Sequence, residues 1–249
     1  MLFTELPFLE RFEAAAAAGF TGIEILTPYE HAPGEIAARL DQTGLELALI
    51  NLPAGDQGER GFAALPGREA DFAEALETAL DYAKATGCRR LHCQSGILPP
   101  GTDRAMARST YIANLRHAAS RAGEFGITAL IEPINNRDMP GCFLSRTSEA
   151  PAILDAVGSP HLRLQFDIYH CQIMEGDVST RLRALAPVIG HVQIAGVPER
   201  HEPDRGEVNY PYLLELLDEL GYAGWVGCEY RPRAGTLAGL GWAERWLQR

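Results

Sequence analysis

The stretch LRLQFDIYHCQIMEGD, residues 162–177, combines a β-strand pattern with a carboxylate and a histidine near the end of that pattern. Residues 162–170 alternate apolar and polar side chains, the pattern of a β-strand with two different faces. The apolar face carries Leu162, Leu164, Phe166 and Ile168, and the polar face carries Arg163, Gln165 and Asp167, with His170 just beyond. Carboxylates are rarely buried without a partner, so Asp167 at the end of an apolar strand raises the question of a functional site.

Further strand patterns alternate with amphipathic helices along the whole chain. The predicted strands cover residues 22–26, 45–52, 89–96, 127–133, 162–170, 190–196 and 224–230. The predicted helices cover residues 7–19, 32–44, 67–87, 103–126, 148–158, 179–187 and 209–221, and most of them stop at a glycine. Strands that alternate with helices predict right-handed βαβ units and a parallel sheet.

Seven such units without a linker or composition break predict an α/β fold with a single domain over residues 1–249. The expected architecture is a (β/α)8 TIM barrel with its first strand missing or truncated in this chain. Such a barrel needs eight strands, and only the short segment MLFTEL precedes the first helix. An open doubly wound sheet is the alternative, but no GxGxxG or GxxxxGK[ST] phosphate loop follows any predicted strand.

The composition indicates which kinds of partner the protein can bind and which cellular compartment it is expected to occupy. A formal net charge of −11 argues against nucleic acid, which needs a concentrated basic surface. The chain has no apolar run of about 18 residues and no signal-peptide pattern at its start, so no membrane is expected. The five cysteines are scattered without a CxxC pair and are typical of free thiols in a reducing cytoplasm.

Four oxygen-bearing side chains come from successive predicted strands near their carboxyl ends. They are Glu132, Asp167, Gln193 and Glu229, at spacings of 35, 26 and 36 residues. Barrel enzymes build their sites at this end, so we expect the four to meet there. Carboxylates that lie close together in a barrel repel, and a hard divalent cation such as Mg²⁺ or Mn²⁺ removes the repulsion. Ion pairs with basic residues or solvated strand ends are the structural alternative.

Two histidines and a long loop lie near the same predicted strand ends. His92 is on the polar face of its strand and His170 follows Asp167, and each taken alone also fits a polar packing role. The loop at residues 197–213 is long, charged and Pro-rich, as expected of a lid or substrate clamp. Arg200 or Arg205 in this loop could bind a substrate carboxylate, and the alternative is a solvated charged loop.

Several segments together resemble the hydroxypyruvate isomerase family, close to the 2-oxo-tetronate isomerases, among the xylose-isomerase-like TIM barrels. The segments are NLPAGD, GERG and LPGRE within residues 51–69, IEPIN at 131–135, DIYHCQIMEG at 167–176, HVQIA at 191–195, EPDRGEVNY at 202–210 and GWVGCEY at 224–230. The resemblance runs in order through nearly the whole chain. It is therefore far more specific than any single motif.

The resemblance implies a role for each site residue. The metal ligands would be Glu132, Asp167, Gln193 and Glu229, and in related sugar epimerases a histidine stands in place of Gln193. Glu132 and Glu229 would be the proton-transfer pair, and His170, Arg200 and His92 would contact substrate. Family members begin with a strand that this sequence lacks, which accounts for the count of seven and predicts an upstream start or a truncation.

The activity that the resemblance implies is an aldose–ketose type isomerisation of a small anionic 2-oxo acid. Hydroxypyruvate is the expected substrate, converted to tartronate semialdehyde through a metal-stabilised cis-enediolate. A 2-oxo-tetronate isomerase is the alternative within the family. A ketose 3-epimerase, a metal-dependent phosphodiesterase and a barrel that binds a ligand without turnover are more distant ones. The sequence leaves open whether the chain forms a homo-oligomer.

Overall fold

The computed structural model describes residues 1–55 and 59–247 and contains, within them, a sheet of seven parallel strands in sequence order. The strands are β1 (Gly22–Ile25), β2 (Glu46–Asn51), β3 (Arg90–His92), β4 (Thr128–Ile131), β5 (Leu162–Asp167), β6 (Ile189–Ile194) and β7 (Val226–Cys228). All seven predicted strands are therefore present. They form a nearly closed, TIM-barrel-like fold. Residues 56–58, which include the end of the NLPAGD segment and the start of GERG, lie outside the described residues.

Helices surround the sheet and follow the strands as the sequence predicts. They are α1 (Arg11–Ala17), α2 (Pro33–Thr43), α3 (Glu69–Thr86), α4 (Arg104–Gly123), α5 (Ala150–Val157), α6 (Ile168–Met174), α7 (Val178–Leu185), α8 (Tyr210–Glu219) and α9 (Glu244–Leu247). Helix α2 begins at a proline and ends before Gly44, whose φ of 70° lies in the left-handed region that glycine adopts without strain. In the described part of the chain, no helix is both long enough and apolar enough to cross a membrane.

The predicted strand at residues 162–170 is too long at its carboxyl end. β5 ends at Asp167, and helix α6 begins at the next residue. The cause is local, because the Asp167 carboxylate accepts a hydrogen bond from the Tyr169 backbone N–H at 2.7 Å and caps the new helix. His170 therefore lies just beyond the end of β5, in the first turn of helix α6 and not within the strand. The short helices near the carboxyl terminus are a second feature that the sequence pattern does not predict.

The polar faces of the strands point into the barrel, and the apolar faces pack against the helices. At the amino-terminal end of the barrel, Arg90 and Arg163 donate hydrogen bonds to the neighbouring carbonyl oxygens of Gly190 and Ile189, at 3.0 and 3.4 Å. A Cβ on Gly190 would lie 2.8 Å from Cβ of Arg163, so only glycine permits this approach. The amino-terminal end of the barrel thus carries two arginines bonded to backbone carbonyls, whereas the carboxylates predicted as ligands lie at the opposite end.

A seam separates the first strand from the last. Within residues 1–55 and 59–247, no backbone pairing joins β7 to β1. A cavity of about 460 Å³ lies there, lined by Gly22–Leu26 on one side and Trp225–Glu229 on the other. Residues 2–5 form turns and not a strand. The expectation of a barrel lacking one strand therefore matches the described residues, with the gap between β7 and β1.

Candidate active site

Four strand ends bring the predicted oxygen ligands to the carboxyl-terminal end of the barrel. Glu132 directly follows β4, Asp167 ends β5, Gln193 lies near the end of β6, and Glu229 directly follows β7. Asp167 and Gln193 are register partners on neighbouring strands. Alternation along each strand turns all four side chains to the interior, as the sequence predicts.

The Glu132 and Asp167 carboxylates suit a cation. Both side chains are almost completely buried, and Glu132 Oε1 and Asp167 Oδ2 have no hydrogen-bond partner among the described residues. Ligand atoms of Glu132, Asp167 and His170 lie within 4.8 Å of one another, so this group could hold a metal ion. Buried carboxylate oxygens without a partner are costly, and a hard divalent cation would satisfy both of them. The donor set therefore fits the expected metal.

Burial makes these carboxyl groups hold their protons more tightly. Burial, with the nearby charges of Glu229 and Asp167, raises the pKa of Glu132 well above its ordinary value. Burial also raises the pKa of Asp167 to about 6, against the attraction of Arg200, and raises the pKa of Glu229. Groups at which burial and like charges shift pKa values in this way are common at catalytic sites.

Gln193 belongs to a hydrogen-bonded row that crosses the barrel interior. Its Oε1 accepts from Nε2 of Gln165 at 2.6 Å, and its Nε2 donates to Oε2 of Glu24 at 3.2 Å. Glu24 also accepts a hydrogen bond from the buried His191. Because a carbonyl oxygen has two lone pairs, Oε1 of Gln193 retains one for another partner. The row fixes the direction of the Gln193 amide.

Each of the two predicted substrate histidines lies near a different carboxylate oxygen of Glu132. His92 Nε2 lies 3.5 Å from Glu132 Oε2, and His170 Nε2 lies 3.8 Å from Glu132 Oε1 and 3.5 Å from Asp167 Oδ2. Burial lowers the pKa of both histidines to about 3, so both rings are neutral at physiological pH. Neutral imidazoles can donate or accept one hydrogen bond at each nitrogen, as their tautomer allows.

Arg200 reaches into the site from the loop after β6. Its Nη2 lies 3.1 Å from Glu229 Oε2 and 3.9 Å from Asp167 Oδ2, and its Nη1 lies 3.4 Å from Asp138 Oδ2. The guanidinium also stacks 5.0 Å above the Tyr169 ring. Arg205, the other predicted candidate, is exposed. Arg200 is thus the basic side chain that this loop brings to the carboxylates.

Sequence reasoning missed a second layer of polar residues. Asn135 and Asp138, in the loop after β4, contact His170 and Arg200 respectively. Glu24 is a polar residue of β1, and its hydrogen bonds to His191 and Gln193 do not follow from the strand pattern. The IEPIN segment that carries the family resemblance contains Asn135, which is the one signal that could have drawn attention to it.

Comparisons with known proteins agree with this site. The sequence profile of the xylose isomerase-like TIM barrel family matches residues 12–246. A 2-oxo-tetronate isomerase from Cupriavidus necator is 58% identical, covering 100% of this chain and 96% of the relative. The hydroxypyruvate isomerase of Escherichia coli K12 is 45% identical, over 98% and 95% of the two chains. A crystal structure described as AP endonuclease, family 2 from Brucella melitensis superposes with a TM-score of 0.96 at 48% identity, covering 98% and 95%.

The fold and the inward-facing carboxylates define the class: this protein is a xylose isomerase-like TIM barrel. Within that class, the chain belongs to the hydroxypyruvate isomerase and 2-oxo-tetronate isomerase family, and it is an isomerase. The resemblance that the sequence segments indicated is confirmed.

Proposed function

We propose that the protein isomerises 2-oxo-tetronate, a four-carbon acid, by moving its carbonyl from C2 to C3. The observation that carries this proposal is the 58% identity, over the whole chain, to the Cupriavidus necator protein named 2-oxo-tetronate isomerase, whereas the relatives named as hydroxypyruvate isomerases or putative ones are 42–46% identical. The sequence-based expectation placed hydroxypyruvate first and 2-oxo-tetronate second. The comparisons favour the reverse order.

The reaction is a proton transfer between neighbouring carbons. A base removes the proton from C3, which carries a hydroxyl group, and the electron pair moves into a cis-enediolate that spans C2 and C3. An acid then delivers a proton to C2, while the proton of the C3 hydroxyl passes to the C2 oxygen. The C3 oxygen thereby becomes the new carbonyl and the C2 oxygen becomes a hydroxyl. Glu132 and Glu229 are the proposed proton-transfer pair, as the family resemblance implies, because the reaction needs one group that accepts the C3 proton and one that delivers a proton to C2.

The remaining site residues hold the substrate and its developing charge. Glu132, Asp167, Gln193 and Glu229 would hold the cation, for which Mg²⁺ or Mn²⁺ is proposed because all four ligands are oxygens. When bound, the cation supplies electrostatic stabilisation of the enediolate oxygens. Arg200 would bind the substrate carboxylate, and His92 and His170 would hydrogen-bond its oxygens. In this assignment Arg200 would hold the substrate carboxylate close to Glu229, one of the two proposed proton-transfer residues, because its guanidinium lies 3.1 Å from Glu229.

Hydroxypyruvate is the second candidate, since relatives named as hydroxypyruvate isomerases or putative ones are 42–46% identical. It has the same carboxylate and ketone but lacks one CHOH unit, and the same proton transfer would give tartronate semialdehyde. A nuclease activity, suggested by the name of the Brucella protein, is less favoured because the net charge is −11. Phosphodiester backbones are bound mainly through basic surfaces.

The test is a direct comparison of the two acids. The Mg²⁺-loaded protein is incubated with each acid separately in D₂O, and proton NMR follows the loss of substrate and the appearance of product. We expect kcat/KM to be at least about 10-fold higher for 2-oxo-tetronate, a ratio within reach of one recognised group on the substrate. A higher value for hydroxypyruvate would reverse the order. No turnover of either acid, with Mg²⁺ or with Mn²⁺, would refute the proposed function.

A further inference from the structure

The buried Asn135 side chain has a fixed direction. It lies three residues after Glu132, and its Oδ1 accepts a hydrogen bond from the Asp138 backbone N–H at 2.8 Å. A backbone N–H can only donate, so the oxygen end of the amide must face it. The orientation of a side-chain amide is assigned from its hydrogen-bond partners, and the Asp138 N–H is compatible with only one orientation of Asn135.

The other end of the same amide determines the proton position on His170. Nδ2 of Asn135 lies 2.6 Å from His170 Nδ1 and 3.3 Å from Asp138 Oδ2. The NH₂ group can only donate hydrogen bonds. One N–H therefore donates to Asp138 Oδ2 and the other donates to His170 Nδ1. His170 Nδ1 is therefore an acceptor without a proton. In a neutral imidazole the proton is then on Nε2.

That proton points into the site. His170 Nε2 faces Asp167 Oδ2 at 3.5 Å and Glu132 Oε1 at 3.8 Å, the two carboxylate oxygens that lack a hydrogen-bond partner among the described residues. A histidine that binds a metal through Nε2 has the opposite arrangement. It needs a lone pair on Nε2, and its Nδ1–H donates to a carbonyl or carboxylate. Asn135 presents a donor to Nδ1 instead.

We propose that Asn135 is a positioning residue that holds His170 as the Nε2–H tautomer, so that His170 donates a hydrogen bond to a substrate oxygen and does not bind the metal. The role toward substrate rests on the proposed function. The tautomer itself does not, because it follows from contacts inside the protein. His170 thereby leaves the cation to oxygen ligands, the set that hard divalent cations prefer.

The tautomer can be observed directly by NMR. The full chain is labelled with ¹⁵N-histidine, spectra are recorded without substrate before and after addition of Mg²⁺, and the signals of His170 are assigned by their loss in His170→Gln. We expect a protonated Nε2 and an unprotonated Nδ1 in both states. A proton on Nδ1, or loss of the Nε2 proton when Mg²⁺ binds, would overturn the proposal. This measurement is independent of turnover, so it separates the proposal from the proposed function.

Asn135→Asp tests the cause. The side chain keeps its size, but an oxygen replaces the NH₂ group opposite His170 Nδ1, so we expect the proton to move to Nδ1. We also expect kcat to fall about 10²-fold, because the loss of one hydrogen-bond donor to an oxygen that gains negative charge costs at least that much. Asn114→Asp is the matched control, since Asn114 is also buried but donates to Ala63 O, away from the site. It should retain the Nε2 proton on His170. An unchanged tautomer in Asn135→Asp, or the same change in Asn114→Asp, would contradict the assignment to Asn135.

Discussion

Arg200 is placed where it would compete with a cation and where it could also attract a substrate. Its guanidinium lies within 3.1 Å of Glu229 and 3.9 Å of Asp167, two of the proposed metal ligands. We expect Arg200→Gln to bind Mn²⁺ about 10-fold more tightly, because the competing positive charge is removed. We also expect KM to rise about 10-fold or more, because a charged hydrogen bond to the substrate carboxylate is lost.

The two effects of Arg200→Gln are measured separately. Electron paramagnetic resonance of free Mn²⁺ gives the metal affinity without substrate, and initial rates give KM. Arg205→Gln is the control, because Arg205 lies in the same loop but is exposed. It should leave both quantities near those of the wild type. Weaker Mn²⁺ binding in Arg200→Gln would show that the guanidinium supports the metal site and does not compete with it.

Glu132 is the residue on which the proposed proton transfer depends most. Glu132→Gln keeps the shape of the side chain and removes its ability to accept a proton. We expect kcat to fall by at least about 10²-fold, the usual contribution of a general base. Circular dichroism should show an unchanged fold, and Glu74→Gln on the exposed side of α3 should keep full activity. Turnover near the wild-type rate in Glu132→Gln would remove Glu132 from the mechanism.

Sequence reasoning could find the inward-facing strand ends but not the partners that orient them. Asp167 and Gln193 follow from alternation along a strand, because a period of two fixes the face of each residue. Asn135 could not be placed against His170 in this way. The two are 35 residues apart, and one lies in an irregular loop while the other lies in a helix that the strand pattern did not predict. Contacts between irregular segments depend on tertiary geometry that a local pattern does not contain.

At the scale of elements, the end of β5 shows how two local signals can compete. Apolar and polar residues continue to alternate through Ile168, which predicts a longer strand. The Asp167 carboxylate favours a helix start at the same point by capping the Tyr169 backbone N–H. In the structure the strand ends at Asp167 and the helix begins, and the first turn of α6 places His170 Nε2 3.8 Å from Glu132 Oε1. A strand that continued to residue 170 would have carried this side chain past the site.

Glu175, directly after α6, contacts two other helical segments, the short turn Thr147–Glu149 and helix α7. Its buried carboxylate accepts hydrogen bonds from the backbone N–H and hydroxyl of Thr147, both at 2.6 Å, and pairs with Arg181 of α7 at 3.0 Å. Burial alone would raise the pKa of Glu175. The hydrogen bonds from Thr147 and Ser148 and the charge of Arg181 outweigh it, so the pKa lies below its ordinary value of 4.5.

We expect Glu175→Gln to lower the free energy of unfolding by about 2 kcal/mol at pH 7, since hydrogen bonds to a charged group are lost. A depressed pKa stabilises the fold above pH 4.5, and this contribution disappears as the pH falls through the folded-state pKa. The difference between variant and wild type should therefore shrink in urea unfolding below pH 4.5. Glu219→Gln is the control. It removes the exposed ion-pair partner of Arg183, which lies in α7 like Arg181, and should change the free energy of unfolding little. A difference that persists unchanged in acid would mean that Glu175 acts through packing alone.

At the scale of the whole molecule, the seam between β1 and β7 is the place where side chains substitute for backbone pairing. Glu24 of β1 accepts hydrogen bonds from His191 and from Gln193 of β6, and Trp225 next to β7 donates to Glu46 of β2 at 3.1 Å. These contacts reach across the gap. They connect few atoms compared with a strand ladder, so the edges of β1 and β7 that face the cavity keep unpaired backbone groups.

We expect amide hydrogen exchange to be at least about 10-fold faster in β1 and β7 than in β5, which is paired on both sides by β4 and β6. Exchange followed by mass spectrometry on the native protein measures this by peptide. Glu24→Ala should accelerate exchange in β1 and β7 together, since the variant removes contacts that cross the seam, and should leave β4 unchanged. Equal protection in β1, β5 and β7 would mean that the seam is closed in solution by pairing that this structure does not contain.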